Sequence, residues 1–337
     1  MPKYAISLDI GGTFLKSAIV CSDGYILNGS YRLTPVNSQG SAEEIIAAFI
    51  EALRYPLELA RREKLDLVGI GVATPGPFNY KEGISLMGRG VGPDKYGSIY
   101  GVNLKEKFIE QLGLDENFPI IFEVDSWAFL RGEAWLGAAR GYERIIGVTI
   151  GTGLGGAFMV GEEIVVRGPG VPPYGWIAMI PYRDGIIEDK ISRRGILARY
   201  RELTGESIEG IDVVDIADRA LKGDRASLQV FEEMGTLLGR LLRKISLEFK
   251  PDCIVLGGQI SKSFALFEKP LREQLRGVRS LKKVCRAKWI DASPLYGVAR
   301  LLFTGARTPA WDLPEDLEGI LDLARKVIEE LKRYSIS

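Results

Sequence analysis

The sequence predicts an α/β protein built from two lobes, and three observations support this fold class. Apolar segments with strand character alternate with amphipathic helical segments along the chain. The 337 residues, 46% of them hydrophobic, exceed what a single core usually holds. The pattern of residues 6–20 also recurs at 146–160, where each stretch gives an apolar strand, a glycine-rich turn and a second apolar strand. This repeat indicates duplicated lobes.

The N-terminal third predicts a strand-rich opening followed by a helix. Strands are expected near 4–10, 14–20 and 25–31. Ser41 and Glu44 form a capping-box pattern ahead of "IIAAFIEAL", which predicts that a helix begins there. The stretch "LVGIGVATPGP" then predicts a buried strand that ends in a Pro-Gly turn.

The middle of the chain places an acidic residue at a strand-to-helix junction. The stretch "PIIFEVDSWAFLRGEAWLGAARG" predicts a strand that ends at Val124 and a helix from about Ser126 to Ala139, closed by Gly141. Asp125 lies at the junction between them. It can act there as an ordinary N-cap, a role that does not exclude a catalytic one.

The second half predicts a long helix, a strand and a terminal helix. "SLQVFEEMGTLLGRLLRKISLEF" has one apolar face and precedes the strand-turn "PDCIVLGGQIS". We expect an N-terminal lobe at 1–124, a C-terminal lobe at 125–305 and an extension at 306–337. Apolar residues at helical spacing after Asp312 indicate an amphipathic helix that packs on a lobe or on a second subunit.

Composition excludes several classes of function. The chain has no histidine, so a Ser-His-Asp triad, a histidine general base and an HExxH zinc site are impossible. Basic and acidic residues each total 44, which gives no net field toward nucleic acid or an anionic membrane. Cys21, Cys253 and Cys285 lack the spacing of a zinc knuckle, and no apolar stretch is long enough to span a membrane. We expect a cytoplasmic protein that binds neither nucleic acid nor membrane.

Three glycine-rich turns are candidate phosphate sites, at residues 9–13, 151–156 and 257–258. Glycine lets backbone N–H groups converge on an oxyanion, although each turn alone could be a plain hairpin connection. No Walker motif occurs. "GTGLGG" satisfies the pattern GxGxxG, but a β-rich segment rather than a helix follows it, which argues against a nicotinamide-dependent enzyme.

Several blocks of the sequence resemble the ROK family of sugar kinases and repressors. They are "LDIGGT", "VDSWAFLRGEAWLGAARG", "IGTGLGGA", "PDCIVLGG" and "ASPLYGVARLL", which fall in family order between residues 4 and 305. The resemblance implies two ribonuclease-H-like lobes of the actin-like ATPase type, with ATP and Mg²⁺ in a cleft between them, and often a homodimer. The repressor branch carries an N-terminal DNA-binding domain, for which we expect no room before Asp9.

The resemblance also implies roles for individual residues. Asp125 matches the catalytic base that takes the proton of a sugar hydroxyl during phosphoryl transfer. Asp9 matches the residue that holds Mg²⁺ through water. The remaining implied roles are phosphate contacts at Gly11, Gly12, Thr13, Thr152 and Gly153, adenosine contacts at Gly257 and Gly258, and sugar contacts at Gly76 and Glu188. Trp176 is expected to be a further sugar contact, although it departs from the family pattern. Lys16 is expected to be a solvated charge.

The sugar site departs from the family pattern. Val124 stands where the family has Asn, Trp176 where it has Glu, and Met179 where it has His. The segment in place of the family's zinc loop has no Cys and no His, so no zinc site is expected. Trp176 and Tyr174 are candidates to stack on an apolar sugar face or substituent, and the alternative for Trp176 is that it fills the core.

We therefore expect an ATP- and Mg²⁺-dependent phosphotransferase for a hydroxyl of a sugar or sugar derivative, similar to a glucokinase or a hexosamine kinase. The altered sugar residues motivate one alternative, a nucleotide- or sugar-binding regulatory protein without turnover. Retention of Asp125 favours the enzyme, because a protein that only binds its ligand needs no base.

Overall fold

A computed structural model describes residues 1–88 and 95–336. The chain forms two compact units, and neither is a single continuous stretch. The first unit contains Met1–Gly137 and Ala292–Ala324, and the second contains Ala138–Asp291 and Arg325–Ser337. None of the described helices is long and apolar enough to cross a membrane.

The strands and helices are numbered in chain order. The strands are β1 (Tyr4–Ile10), β2 (Phe14–Cys21), β3 (Tyr25–Ile26), β4 (Arg32–Pro35), β5 (Leu67–Thr74), β6 (Phe78–Asn79), β7 (Ile84–Ser85), β8 (Ile120–Val124), β9 (Arg144–Ile150), β10 (Leu154–Val160), β11 (Glu163–Ile164), β12 (Pro181–Tyr182), β13 (Gly185–Ile186), β14 (Cys253–Gly257) and β15 (Lys283–Arg286). The helices are α1 (Ala42–Arg62), α2 (Leu104–Leu112), α3 (Asp125–Trp135), α4 (Arg193–Thr204), α5 (Val213–Leu221), α6 (Arg225–Phe249), α7 (Phe264–Gln274), α8 (Ser293–Thr304) and α9 (Leu317–Leu331).

The two large sheets repeat one topology. In the first unit the strand order is β3-β2-β1-β5-β8, and β4 also pairs with β2. In the second unit the order is β11-β10-β9-β14-β15. Each sheet contains an antiparallel hairpin, β1–β2 or β9–β10. The first strand of the hairpin also pairs with a parallel strand, β5 or β14, which in turn pairs with a second parallel strand, β8 or β15. The duplication predicted from the two glycine turns is therefore present in the strand order.

Helix α1 begins directly after Ser41, as the capping-box pattern predicts. The Glu44 backbone N–H donates to Ser41 Oγ at 3.2 Å, and the Ser41 N–H donates to Glu44 Oε2 at 2.8 Å. Two of the N–H groups that a helix start leaves without partners are thus satisfied. The apolar residues Ile45, Phe49 and Leu53 are fully buried beneath the helix. The expected long helix is α6, whose predicted apolar face is also buried.

Some predicted elements have different bounds. The strand expected at 25–31 is limited to β3, because the chain turns at Gly29 with a positive φ before β4 begins. Helix α3 ends at Trp135 instead of Ala139, and Val124 rather than Asp125 occupies its N-cap position. Asp125 is instead the first residue of the helix.

The unit boundaries also differ from the expected limits at 124 and 305. Helix α3 belongs to the first unit, where it packs against α8 from the far end of the chain. Residues 306–324 belong to that unit as well. Thr308 is fully buried and its hydroxyl donates to Glu123 Oε1 at 2.8 Å, while Arg131 pairs with the same carboxylate at 3.1 Å. The predicted extension is therefore partly an integral piece of the first unit.

Candidate functional site

The first glycine turn connects β1 to β2 and carries Asp9 at the end of β1. Asp9 is 8% exposed, and its Oδ2 lies 3.3 Å from the amino group of Lys16. Lys16 is therefore the partner of a candidate site residue and not the solvated charge that we expected. A glycine is needed at position 11, because a Cβ on Gly11 would lie 2.5 Å from the Phe14 carbonyl oxygen. Thr13 is exposed beside them.

Lys95 and Tyr96 were not predicted, and both contact this turn. A Cβ on Gly12 would lie 2.1 Å from Lys95 Nζ, so the ammonium group sits directly over the turn. The Tyr96 hydroxyl donates to the carbonyl oxygen of Gly11. Tyr96 is fully buried and adopts a left-handed conformation at φ 60°, which a large residue rarely does unless its surroundings hold it there.

Asp125 lies at the start of α3, directly after β8. The backbone N–H of Ser126 donates to its Oδ1 at 2.6 Å. Burial raises the pKa of the Asp125 carboxyl to about 6, the Ser126 hydrogen bond opposes this shift, and the charge of Asp9 adds to it. A carboxylate with such a pKa is mostly ionised at neutral pH and remains basic enough to accept a proton.

Gly76 lies in the turn after β5, the strand between β1 and β8. Tyr80 is buried beside it, since a Cβ on Gly76 would lie 3.2 Å from the Tyr80 hydroxyl. That hydroxyl donates to the Thr74 carbonyl oxygen at 3.3 Å. Burial, and then the charges of Asp125 and Glu123, raise the pKa of Tyr80 well above its ordinary value. Tyr80 therefore stays neutral beside Asp125.

The first unit thus gathers its candidate residues at one edge of its sheet. Strands β1, β5 and β8 are parallel neighbours, and Asp9, Gly76 and Asp125 stand at or just after their carboxyl ends. Ligands of open α/β sheets bind at this edge. Two carboxylates and two lysines in this position can bind a charged group and move a proton.

The second unit places its glycine turns side by side in the same way. The 151–156 turn follows β9, and Gly257 at the end of the parallel neighbour β14 is in register with Thr149. Gly258 has φ 79°, and a Cβ there would lie 2.3 Å from the Ile150 carbonyl oxygen. Thr152 is exposed at the tip of its turn. Glycines at this edge let the backbone approach a phosphate or a nucleoside closely.

Glu188 contacts the second glycine turn. Its Oε2 accepts the Leu154 N–H at 2.9 Å and would lie 2.7 Å from a Cβ on Gly153. Its Oε1 accepts a hydrogen bond from the half-exposed guanidinium of Arg194 at 3.2 Å. Glu188 thus braces the turn that holds Thr152 and Gly153, and its role as a sugar ligand stays a prediction.

Trp176 forms an aromatic pair with Tyr174. The ring centroids are 5.3 Å apart with an interplanar angle of 38°. Trp176 is partly exposed, which does not match the alternative that it merely fills the core. The pair rests on β10, because Gly175 packs so closely on Gly156 that a Cβ on either would lie 2.4 Å from the other's carbonyl oxygen. The last glycine of "GTGLGG" therefore serves packing.

Metal ligands are sparse. The described residues contain no group of three or more Asp, Glu, Cys or His placed to hold a metal ion. Asp9 therefore fits a Mg²⁺ ion only in the manner usual for nucleotide enzymes, where one or two carboxylates, water and the substrate phosphates complete the coordination.

Comparison with known proteins assigns the chain to a family. Residues 5–304 match the ROK family model. The glucokinase of Thermotoga maritima is 29% identical over 297 residues, 82% of this chain and 88% of that protein. The β-glucoside kinase of Listeria monocytogenes is 28% identical over 262 residues, 76% of this chain and 82% of that one. A ROK family glucokinase from Streptomyces griseus, solved with glucose and AMPPNP, has a TM-score of 0.68 at 25% identity and covers 90% of this chain and 100% of that one. The predicted two-lobed actin-like ATPase fold is confirmed, and the chain belongs to the ROK family.

Proposed function

We propose that this protein transfers the terminal phosphoryl group of ATP to a hydroxyl of a sugar or sugar derivative, with Asp125 as the general base. The observation that carries the proposal is the position of Asp125 near Asp9 and the first glycine turn, together with its pKa of about 6. A base of this strength suits proton removal from an alcohol near neutral pH. The names of the relatives favour a sugar as the acceptor.

The reaction requires positioning, charge neutralisation and removal of one proton. Asp125 would accept the hydroxyl proton while the sugar oxygen bonds to the terminal phosphorus, and ADP leaves with the bridging oxygen. Backbone N–H groups of Gly11, Gly12 and Thr13 would approach the transferred phosphoryl group. Lys95, over this turn, would neutralise part of its charge.

Mg²⁺ would be held by Asp9 through water and by the phosphates, and its charge would offset theirs. In the second unit, Thr152 and Gly153 would contact the remaining phosphates, while Gly257 and Gly258 would lie against adenosine. These assignments follow the adjacent positions of the two turns at the carboxyl ends of β9 and β14. The AMPPNP in the Streptomyces griseus structure supports ATP as the donor.

The proposed sugar contacts are Gly76 in the first unit, and Glu188 and the Tyr174–Trp176 pair in the second unit. An aromatic face binds the apolar C–H face of a pyranose, and it tolerates substituents that a carboxylate–histidine pair would exclude. We therefore place the substrate among hexoses, hexosamines and their substituted derivatives. We further propose a cytoplasmic homodimer.

The test is a coupled assay of ADP release with ATP, Mg²⁺ and a panel of glucose, mannose, fructose, glucosamine, N-acetylglucosamine, N-acetylmannosamine and a β-glucoside. Asp125→Asn should lower kcat by about 10²–10⁴-fold on the best substrate and leave ATP binding intact. Lys95→Met should lower kcat and raise the ATP KM. Asp66→Asn is the matched control, because Asp66 is an exposed acid of the same unit.

Absence of turnover across the panel, with ATP binding retained, would favour the regulatory alternative. Turnover that survives in Asp125→Asn at the Asp66→Asn level would refute the assignment of the base while leaving the kinase activity in place. Equilibrium binding of ATP and of each sugar by calorimetry separates these outcomes, since it needs no turnover.

A further inference from the structure

The end of the chain is firmly attached to the second unit. After Arg325, α9 and the residues that follow it bury Val327, Leu331 and Tyr334 almost completely. The Lys244 amino group of α6 donates to the Ser335 carbonyl oxygen at 2.6 Å. We call residues 325–336 the C-terminal segment. Its burial shows that it is a structural part of this unit and not a loose tail.

The C-terminal segment contacts both ends of residues 167–181, which carry the aromatic pair and which we call the aromatic segment. Arg167 Nη1 lies 3.0 and 2.7 Å from the two carboxylate oxygens of Glu330. At the other end, the Ser335 hydroxyl donates to the Pro181 carbonyl oxygen at 2.8 Å. These two contacts attach both ends of the aromatic segment to the C-terminal segment.

Helix α6 supports the same segment from a second side. The carboxylate of Glu248 accepts the Gly170 N–H at 3.1 Å and pairs with Arg333 of the C-terminal segment at 2.8 Å. The backbone of Gly170 is so close to α6 that a Cβ there would lie 2.2 Å from the Phe249 nitrogen. The aromatic segment is therefore held between α6 and the C-terminal segment.

The Glu330–Arg167 ion pair is connected to the aromatic rings. The guanidinium carbon of Arg167 lies 5.3 Å from the ring centroid of Tyr174, whose centroid is 5.3 Å from that of Trp176. Tyr174 has φ 55°, a left-handed conformation that a non-glycine residue adopts only with support from its neighbours. A continuous series of contacts thus runs from Glu330 through Arg167 and Tyr174 to Trp176.

We propose that Glu330 and Arg167 are positioning residues that set the orientation of Tyr174 and Trp176, and that the C-terminal segment thereby determines how tightly the sugar is bound. The effect on the rings follows from the contacts within the second unit. The consequence for sugar affinity rests on the proposed function, so the test needs one measurement that is independent of catalysis.

Glu330→Gln tests the linkage, and Glu329→Gln is the matched control. Glu329 is the adjacent acid on the same helix, and it pairs with Lys332 instead of the aromatic segment. Both residues of the Arg167–Glu330 pair are about half exposed, so its loss should change local equilibria about two- to fivefold. Hydrogen exchange of peptides from 167–181 should accelerate by this factor in Glu330→Gln and not in Glu329→Gln.

Tryptophan fluorescence gives a second readout that needs no substrate. The Trp176 contribution, taken as the difference between each protein and its Trp176→Phe derivative, should change in Glu330→Gln and in Arg167→Gln. The double variant should be no worse than the worse single variant, because both remove one interaction. In the kinase assay the sugar KM should rise about two- to fivefold, with kcat and the ATP KM unchanged.

Identical exchange rates and identical Trp176 signals in Glu330→Gln and Glu329→Gln would overturn the proposal. Changes in exchange and fluorescence with an unchanged sugar KM would confine the linkage to the structure of the segment and refute its effect on affinity. A wild-type protein without kinase activity would refute the proposed function alone, since the exchange and fluorescence measurements would still decide the linkage.

Discussion

At the scale of single residues, the chemistry depends on the protonation of Asp125. Its pKa is raised to about 6, mainly by burial. A general base works only when ionised, so kcat/KM should rise about tenfold per pH unit below that value and level off above pH 7. A pH–rate profile between pH 4.5 and 8.5 measures this, with the Asp66→Asn control expected to superimpose on the wild type. A profile that is flat down to pH 4.5 would contradict the raised pKa.

The same shift predicts an effect on stability. Because the folded-state pKa of Asp125 lies above the ordinary value of 3.8, the folded protein binds more protons than the unfolded chain between these values. Its contribution to stability is therefore lost as the pH rises through this window. Asp125→Asn, which carries no charge, should gain stability relative to wild type between pH 4.5 and pH 7.5. Urea unfolding at the two pH values would show this, and an equal difference at both would contradict it.

Residues within one motif could be predicted from the sequence, whereas residues brought together by folding could not. Asp9, Asp125 and the glycines lie in short motifs that can be recognised from the adjacent residues. Lys95 contacts the first turn although it is more than 80 positions away in the chain, and no local pattern marks it. The partners Arg167 and Glu330 are 163 positions apart in the chain.

At the scale of elements, the two glycines that bracket "GTGLGG" have different physical functions. A Cβ on Gly156 would lie 2.4 Å from the Gly175 carbonyl oxygen, whereas none of the residues that the structure describes has an atom within 4 Å of the position of a Cβ on Gly151. Gly156→Ala should therefore destabilise the protein by about 1–3 kcal/mol through overpacking. Gly151→Ala should change stability by less than about 0.5 kcal/mol and weaken ATP binding, because the methyl group would occupy the space beside the phosphates.

Denaturant unfolding and ATP titration of both variants check this pair. Equal stability of the two variants would refute the packing role of Gly156. Unchanged ATP affinity in Gly151→Ala would argue against a phosphate beside this turn, whatever the stability of the protein.

The elements were predicted well where a periodic pattern and a cap agree. Helix α1 has both a capping box and an apolar face, and its start was correct. Helix α3 has little amphipathic character because every residue from Ser126 to Glu133 is buried. Its periodicity therefore gives no end point, and the stop predicted at Gly141 lies beyond the observed end at Trp135. The strand predicted at 25–31 was too long for a related reason. Gly29 interrupts the segment, and no alternating pattern continues past it to mark where the strand ends.

At the scale of the whole molecule, the unit boundaries could not be read from sequence order. The first unit includes residues 292–324, which follow residues 138–291 of the second unit in the sequence. The buried hydroxyl of Thr308 donates to the Glu123 carboxylate, which also pairs with Arg131, and this hydrogen bond joins the two parts of the unit. The amino-acid composition does not change at the boundaries after Gly137 and Asp291, so only the three-dimensional contacts reveal these boundaries.

The two parts of the first unit meet where helices α3 and α8 pack together. Helices α3 and α8 approach so closely that a Cβ on Gly297 would lie 1.8 Å from the Ala128 carbonyl oxygen, and one on Gly132 would lie 2.0 Å from that of Ser293. Both contacts are to backbone atoms, which cannot move aside without separating the helices. Gly297→Ala should therefore cost about 3 kcal/mol or more, although alanine is the better helix former, and Gly132→Ala should cost a similar amount. Thermal unfolding should show a lowered Tm for both, whereas Glu51→Ala on the exposed face of α1 should leave it within about 1 °C. A normal Tm for Gly297→Ala would show that the stability of the N-terminal part of the unit does not depend on its close contact with α8.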